Sequence, residues 1–229
     1  MYLNGKKRGY FRSRSTDLRY ESLENEIWFF IWLAGIGGMI PIHFWSVEHR
    51  RFKEKYGEEK GRKITSILGM VSGWGFFICL FGIWISPQAK FTILILQDLA
   101  IVIPVGNFTI PLLHLVISIP IIVIGAWFGI VGVKGTSLKV AETHCPEKVI
   151  STGIYAIIRH PQYFGAILAH IGVSILIGAL YAFLATPLII FYNYITAWKE
   201  ETELINEFGT DYEEYRKAVP MLYPKLRRT

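Results

Sequence analysis

Charge is what this chain has least of. Asp, Glu, Lys and Arg make up 18% of its 229 residues and hydrophobic residues 52%, against roughly 25% charged in an ordinary soluble domain. Several runs approach twenty residues with no charge at all, which argues against a soluble globular fold and for helices that cross a bilayer. Cysteine is equally scarce. Cys79 lies inside an apolar run and Cys145 in a polar loop, so neither a disulfide framework nor a zinc-motif spacing is present. The six histidines are scattered, and none joins a Cys or carboxylate at ligand spacing, so no metal centre is expected. A strand followed by a Gly-rich loop and a helix is also missing, which removes support for a Rossmann-type cofactor site. The first apolar stretch begins at Ile27, too late for an ordinary cleaved signal, and there is no internal repeat or low-complexity tract. The net charge of +6 sits in the loops between apolar runs, as membrane-flanking loops require, and is no sign of nucleic-acid binding.

The apolar runs predict an all-α polytopic membrane protein with about five transmembrane helices and a C-terminal cytosolic helical segment. Residues 1–26 read as a polar flexible or interfacial tail. Residues 27–133 hold three spans with their loops (27–45, 64–86 and 108–133), and 134–229 form the catalytic region. Its helical hairpin, 163–198, consists of spans 163–179 and 183–198. Gly35, Gly37, Gly38 and Pro41 loosen the first run, so it either spans with a close helix contact or re-enters. Residues 91–105, broken by Gln97 and Asp98 and ended by Pro104 and Gly106, are too short to span twice and read as a segment near the interface. His114 in the third span reads as a packing residue. Five spans leave 17 Lys and Arg on one side and 7 on the other. The positive-inside rule then puts the loops around 46–63 and 134–162 and the C-terminal tail in the cytoplasm.

Two polar stretches flank the hairpin. One contains Tyr155, Arg159, His160, Pro161, Tyr163 and Gly165; the other begins Glu200-Glu201 and continues through Leu204, Phe208, Gly209, Tyr212, Tyr215, Val219 and Pro220. A hairpin returns its ends to one face, so Arg159, His160 and Tyr163 should stand beside Glu200 and Glu201. Pro161 suits a helix's first turn, leaving an N-terminal dipole end that favours a carboxylate beside the Arg159 cation. A simple helix-cap role for His160 and a solvated amphipathic helix for the Glu pair are the plainer alternatives. Two carboxylates at a bilayer boundary are nevertheless costly without a cation nearby. Together the two ends suit a zwitterionic ligand with a positive centre, such as S-adenosylmethionine. Glu201 is expected to be exposed at the boundary. His170, two turns beyond Tyr163, and Asn193, two turns before Glu200, are polar groups inside apolar runs. They either bond each other or a backbone carbonyl across the hairpin, or line an acceptor cavity.

The spaced pair Arg-His-Pro-x-Tyr-x-Gly and Glu-Glu-x-x-Leu-x-x-x-Phe-Gly-x-x-Tyr-x-x-Tyr-x-x-x-Val-Pro resembles the isoprenylcysteine carboxyl methyltransferase and phospholipid methyltransferase superfamily. The resemblance covers roughly residues 125–224. It implies a membrane methyltransferase with a cytosol-facing S-adenosylmethionine site and a lipophilic or prenylated acceptor (carboxylate, amine or thiol) arriving from the bilayer. Carried onto this chain, Arg159, His160 and Glu201 would be catalytic. Tyr155, Arg159, His160, Tyr163, Gly165, Glu200 and Glu201 would bind the cofactor; the acceptor role weighed for His170 and Asn193 rests on their helix spacing, not on the resemblance. There are departures. Ile154 replaces the family's Pro before Tyr155, and Asn193, Tyr194 and Thr196 occupy the turn where carboxyl methyltransferases commonly carry an Arg, which weighs against prenylcysteine more than against methyl transfer. Competing readings are a membrane sterol-type reductase using NADPH and a non-enzymatic scaffold or transporter. The first asks for more phosphate-binding cations than this chain offers; the second asks for ionisable residues along the spans.

Overall fold

The molecule is known here from a computed structural model that describes residues 5–95, 99–103, 108–144 and 148–224, with backbone alone for 5–25, 103, 108 and 139. Hydrocarbon offers no hydrogen-bond partner to a backbone, so apolar runs this long satisfy themselves as helices. The described chain runs α1 (Gly5–Val47), α2 (His49–Tyr56), α3 (Glu58–Ile85), β1 (Ala100–Ile103), β2 (Phe108–Pro111), α4 (Leu112–Thr136), α5 (Leu138–Thr143), a 3-10 turn (Gly153–Ala156), α6 (Pro161–Leu176), α7 (Leu180–Leu184), α8 (Thr186–Phe208) and α9 (Thr210–Ala218). Among the described residues three stretches are long and apolar enough to cross a membrane: Glu26–Val47, Glu58–Ile85 and Leu112–Thr136. A fourth, Pro161–Leu176, is apolar but shorter.

Several boundaries differ from the sequence expectation. The backbone is helical from Gly5 straight into the first span, through the stretch read as a flexible or interfacial tail, and Gly35, Gly37, Gly38 and Pro41 do not interrupt that helix. The 46–63 loop is mostly helix, jointed at Gly57, whose φ of +85° suits a residue without Cβ. The third span starts later than expected because Phe108–Pro111 pairs as a strand with Ala100–Ile103, Ile101 opposite Ile110. α8 continues unbroken from the fifth expected span through Glu200 and Glu201. Gln97, Asp98, Pro104, Gly106 and Cys145 lie outside the described residues.

α1 packs on α3, α4 on α6, and α8 joins the two pairs by lying against α1 and α6. One core, including Phe29, Phe76, Leu80, Ile83, Ala182, Ile189 and Tyr192, runs through the spans. A second, built on Ile154, Tyr155, Ile158, Tyr212, Tyr215 and Val219, lies where the loops and α9 gather. The outer faces are apolar as well: Trp74, Phe77 and Phe81 on α3, Val123 and Trp127 on α4, and Phe191 and Trp198 on α8 are all exposed. Such a surface suits lipid.

The α4–α6 seam depends on small residues, which let backbones approach. A Cβ placed on Gly165 would stand 2.6 Å from the Gly125 carbonyl oxygen, whereas one on Gly129 would meet nothing within 4 Å. Gly165→Ala should therefore cost about 1–3 kcal/mol of stability, as overpacking does, and Gly129→Ala should be near neutral. Thermal unfolding of the two variants in detergent checks the contrast; equal melting temperatures would remove the seam from this role.

Candidate active site

The two polar stretches come together. Pro161 occupies the first turn of α6, with His160 immediately before it. The same short segment is clamped to the C-terminal tail through Arg159 N–H to the Pro220 carbonyl (2.9 Å) and His160 N–H to the Met221 carbonyl (3.1 Å). Arg159 forks onto Glu201, Nε to Oε1 at 2.7 Å and Nη2 to Oε2 at 3.0 Å. Its Nη1 donates to the carbonyls of Arg216 (2.7 Å) and Val219. Four of the five guanidinium N–H groups are thus used and one is left. His160 Nε2 stands 3.1 Å from Glu201 Oε1, and its ring stacks on Tyr163 with centroids 5.4 Å apart.

Glu201 is 3% exposed, contrary to the boundary exposure expected of it, because Arg159 and His160 cover it. Burial pushes its carboxyl up, but hydrogen bonds from His160 and Arg159 outweigh that and hold it below its ordinary value. The neighbouring Glu200 points into a different group. Tyr163 donates its hydroxyl to Oε1, and the same oxygen has His144 Nδ1 at 2.9 Å and His43 Nε2 at 3.2 Å; His160 Nδ1 lies 3.5 Å from Oε2. Burial raises this carboxyl too, yet the charge and hydrogen bonding of His144 and His43 carry it well below the ordinary range.

A cavity of about 200 Å³ opens between these groups. Arg159, His160, Tyr163, Glu200, Tyr155 and Asn193 line it; Glu201 stands behind Arg159 and His160, outside the lining. Tyr155 is held by its hydroxyl on the Gly132 carbonyl (3.1 Å) and by Tyr215 on its own carbonyl (2.7 Å). Gly165 faces α4 rather than the cavity. His170 is also outside the lining: it accepts a hydrogen bond from the Trp84 indole (3.2 Å), while Asn193 donates to the Ile189 carbonyl of its own helix (2.8 Å). The two are not bonded to each other.

Sequence reasoning missed His43 and His144. His43 comes from the membrane end of α1 and His144 from the loop after α5, 157 and 56 residues before Glu200, separations that no local spacing pattern records. His43 did carry one signal, an ionisable group within an apolar run. His144 is fixed from behind: its backbone is left-handed (φ +53°), and His49 Nε2 lies 2.9 Å from its carbonyl.

Residues 112–211 match the phospholipid methyltransferase family model. The chain is 38% identical over 81 residues to the protein-S-isoprenylcysteine O-methyltransferase of Schizosaccharomyces pombe, covering 34% of each chain. It is 34% identical over 106 residues to a methanethiol S-methyltransferase of Pseudomonas sp. (strain GM41(2012)), covering 44% of this chain and 39% of that one. To the human protein-S-isoprenylcysteine O-methyltransferase it is 30% identical over 95 residues, 38% of this chain and 30% of the other. The matched segment thus spans about a third of these relatives' length.

Replacing Glu201 by Gln leaves Arg159 buried without its counter-charge and should lower stability by about 3–5 kcal/mol. Because the Glu201 carboxyl lies below its ordinary value of 4.5, the stability it lends is full above that pH and fades as pH falls through the lower folded value. Thermal melts across that range should show the wild type losing its advantage over Glu201→Gln in acid. A gap that stays constant would show that this ionisation is not what stabilises the fold.

Proposed function

We propose, from the place of residues 112–211 in the isoprenylcysteine carboxyl methyltransferase and phospholipid methyltransferase superfamily, that this protein transfers a methyl group from S-adenosylmethionine to a lipophilic acceptor at the cytosolic boundary of a membrane. The observation that carries the reading is that the N-terminal end of α6, with Arg159, and Glu200 line one cavity.

The residues fit such a cofactor. Its carboxylate asks for donors, and the first-turn N–H groups of α6 have no partner within the helix, while Arg159 keeps one N–H. Its cationic side asks for an acceptor, which Glu200 Oε2 supplies. The cofactor brings a methyl group on a positively charged sulfur; the chain binds, orients and keeps water out. Tyr155, Phe76 and Tyr192 form an aromatic wall, the last two stacked at 4.6 Å. When the nucleophile is an anion, charge is neutralised as the methyl moves, so a dry site favours the reaction, and fixed positioning supplies much of the rate. Glu201 acts as a positioning residue, holding Arg159 and His160 in place, and Gly165 sets the distance of α6 from α4.

An ionised carboxylate acceptor needs no base. An amine must lose a proton, and His160 Nδ1, which faces the cavity beside Glu200, is placed to take it. The acceptor reaches this point from the lipid side, because Phe77 lines the cavity and is also exposed on the outer face of α3. A hydride-transfer reading has less support: among the described lining residues the Lys and Arg are Lys148 and Arg159, too few for a phosphate-rich cofactor.

Methyl transfer from labelled S-adenosylmethionine, assayed across prenylcysteine, lipid-amine, isoprenoid-acid and thiol acceptors, tests the activity; no transfer to any of them, with NADPH binding instead, would overturn it. Within that assay Asn193→Leu should raise the acceptor KM roughly tenfold, the worth of about one hydrogen bond, with the cofactor Kd near its wild-type value. Parallel loss of both would place Asn193 in packing.

A further inference from the structure

Three residues from distant parts of the chain meet where the methyl-transfer reading has no role for two of them. His43, His144 and Glu200 each offer a ligand atom, and the three atoms lie within 4.8 Å of one another. His43 and Glu200 are 4% and 13% exposed, His144 14%, and all three line the cavity. The two imidazole rings meet edge to face, centroids 4.7 Å apart. His43 Nε2 is buried and 3.2 Å from Glu200 Oε1, yet has no hydrogen bond of acceptable geometry. Two histidines converging on one carboxylate oxygen, one of them misaligned for a hydrogen bond, is the arrangement a cation between them would resolve.

We propose that His43, His144 and Glu200 form a binding site for a zinc-class divalent cation, with its remaining coordination position open to the cavity. Two imidazoles and a carboxylate plus one free position is a donor set that zinc takes in catalytic sites. A tetrahedral zinc ion spaces its donor atoms by about 3.3 Å, so the farthest pair here closes by no more than about 1.5 Å. An outer shell is in place. Tyr163 donates to Glu200, His160 lies beside its second oxygen, and the His144 backbone is gripped by His49; partners of this kind orient ligands in metal sites.

Resting on the methyl-transfer reading, the site also selects an acceptor class. Glu200 binds the ion through Oε1 while Oε2 faces the cofactor side, so an acceptor on the ion stands next to the methyl group. A borderline-soft ion favours sulfur, and a coordinated thiol is deprotonated outright. The acceptor R–SH loses its proton to water at the cavity mouth, and its sulfur lone pair forms the new S–CH3 bond. The bond from the methyl carbon to the donor sulfonium breaks, that electron pair staying on the donor sulfur. The product, a neutral thioether, is a weak ligand and departs.

The test uses the full-length protein in detergent, stripped with a chelator and reconstituted with one equivalent of Co²⁺. Expected are the intense visible bands of tetrahedral cobalt and, on adding ethanethiol, a new thiolate-to-cobalt charge-transfer band. His43→Ala and His144→Ala should each weaken Zn²⁺ binding by more than the roughly 10- to 100-fold that loss of an outer-shell partner costs. Weak octahedral bands, no response to ethanethiol, or Zn²⁺ affinity unchanged in folded variants would each overturn the proposal; if the variants do not fold, the wild-type cobalt spectra decide alone. S-adenosylmethionine binding is measured in parallel. Cofactor binding and methyl transfer that survive metal removal would sink the metal proposal alone, whereas a metal site without cofactor binding would sink the methyltransferase reading.

Discussion

The buried ion pair between Arg159 and Glu201 is the contact on which the site depends. Each charge has left water, and neither can stay buried without the other. The pair therefore holds three pieces of chain in one place: the segment before α6, the C-terminal part of α8, and the end of α9, where the carbonyls of Arg216 and of Val219 just beyond it take the Nη1 donors. His160 is pinned by the same carboxylate. The cavity wall is consequently set by electrostatics at one edge and by close helix packing, Gly165 against Gly125, at the other.

Adjacent residues on a helix point about 100° apart, and the Glu pair puts that angle to use. Glu201 turns inward to the ion pair and is sealed behind it, whereas Glu200 turns to the cavity, the histidines and Tyr163. One dipeptide thus serves two surroundings with different chemistry. The first positions the groups that line the cavity; the second lines the cavity itself. α8 has to run unbroken through both residues for this to work, and it does.

Much of this was legible beforehand. The uncharged runs required helices in a bilayer, and the pairing of Arg159, His160 and Tyr163 with Glu200 and Glu201 followed from a hairpin returning to one face. What was misjudged was the surroundings. Glu201 was expected at an exposed boundary, yet its partners cover it. His170 and Asn193, read as a pair from their equal depth, face different neighbours: His170 meets Trp84 of α3, and Asn193 lines the cavity. Depth along a helix can be counted from the sequence, but rotation about its axis relative to a third helix cannot.

By itself, then, the sequence determined the membrane-spanning helical class and the two polar motifs, because hydrophobic run length and local helix signals act over a few turns of one chain segment. Only the tertiary structure decided which carboxylate is buried and which faces the cavity, and that His43 and His144 join Glu200. Those outcomes depend on how α1, α5 and α8 meet across separations of 56 to 157 residues, and no local periodicity records a contact between segments that far apart.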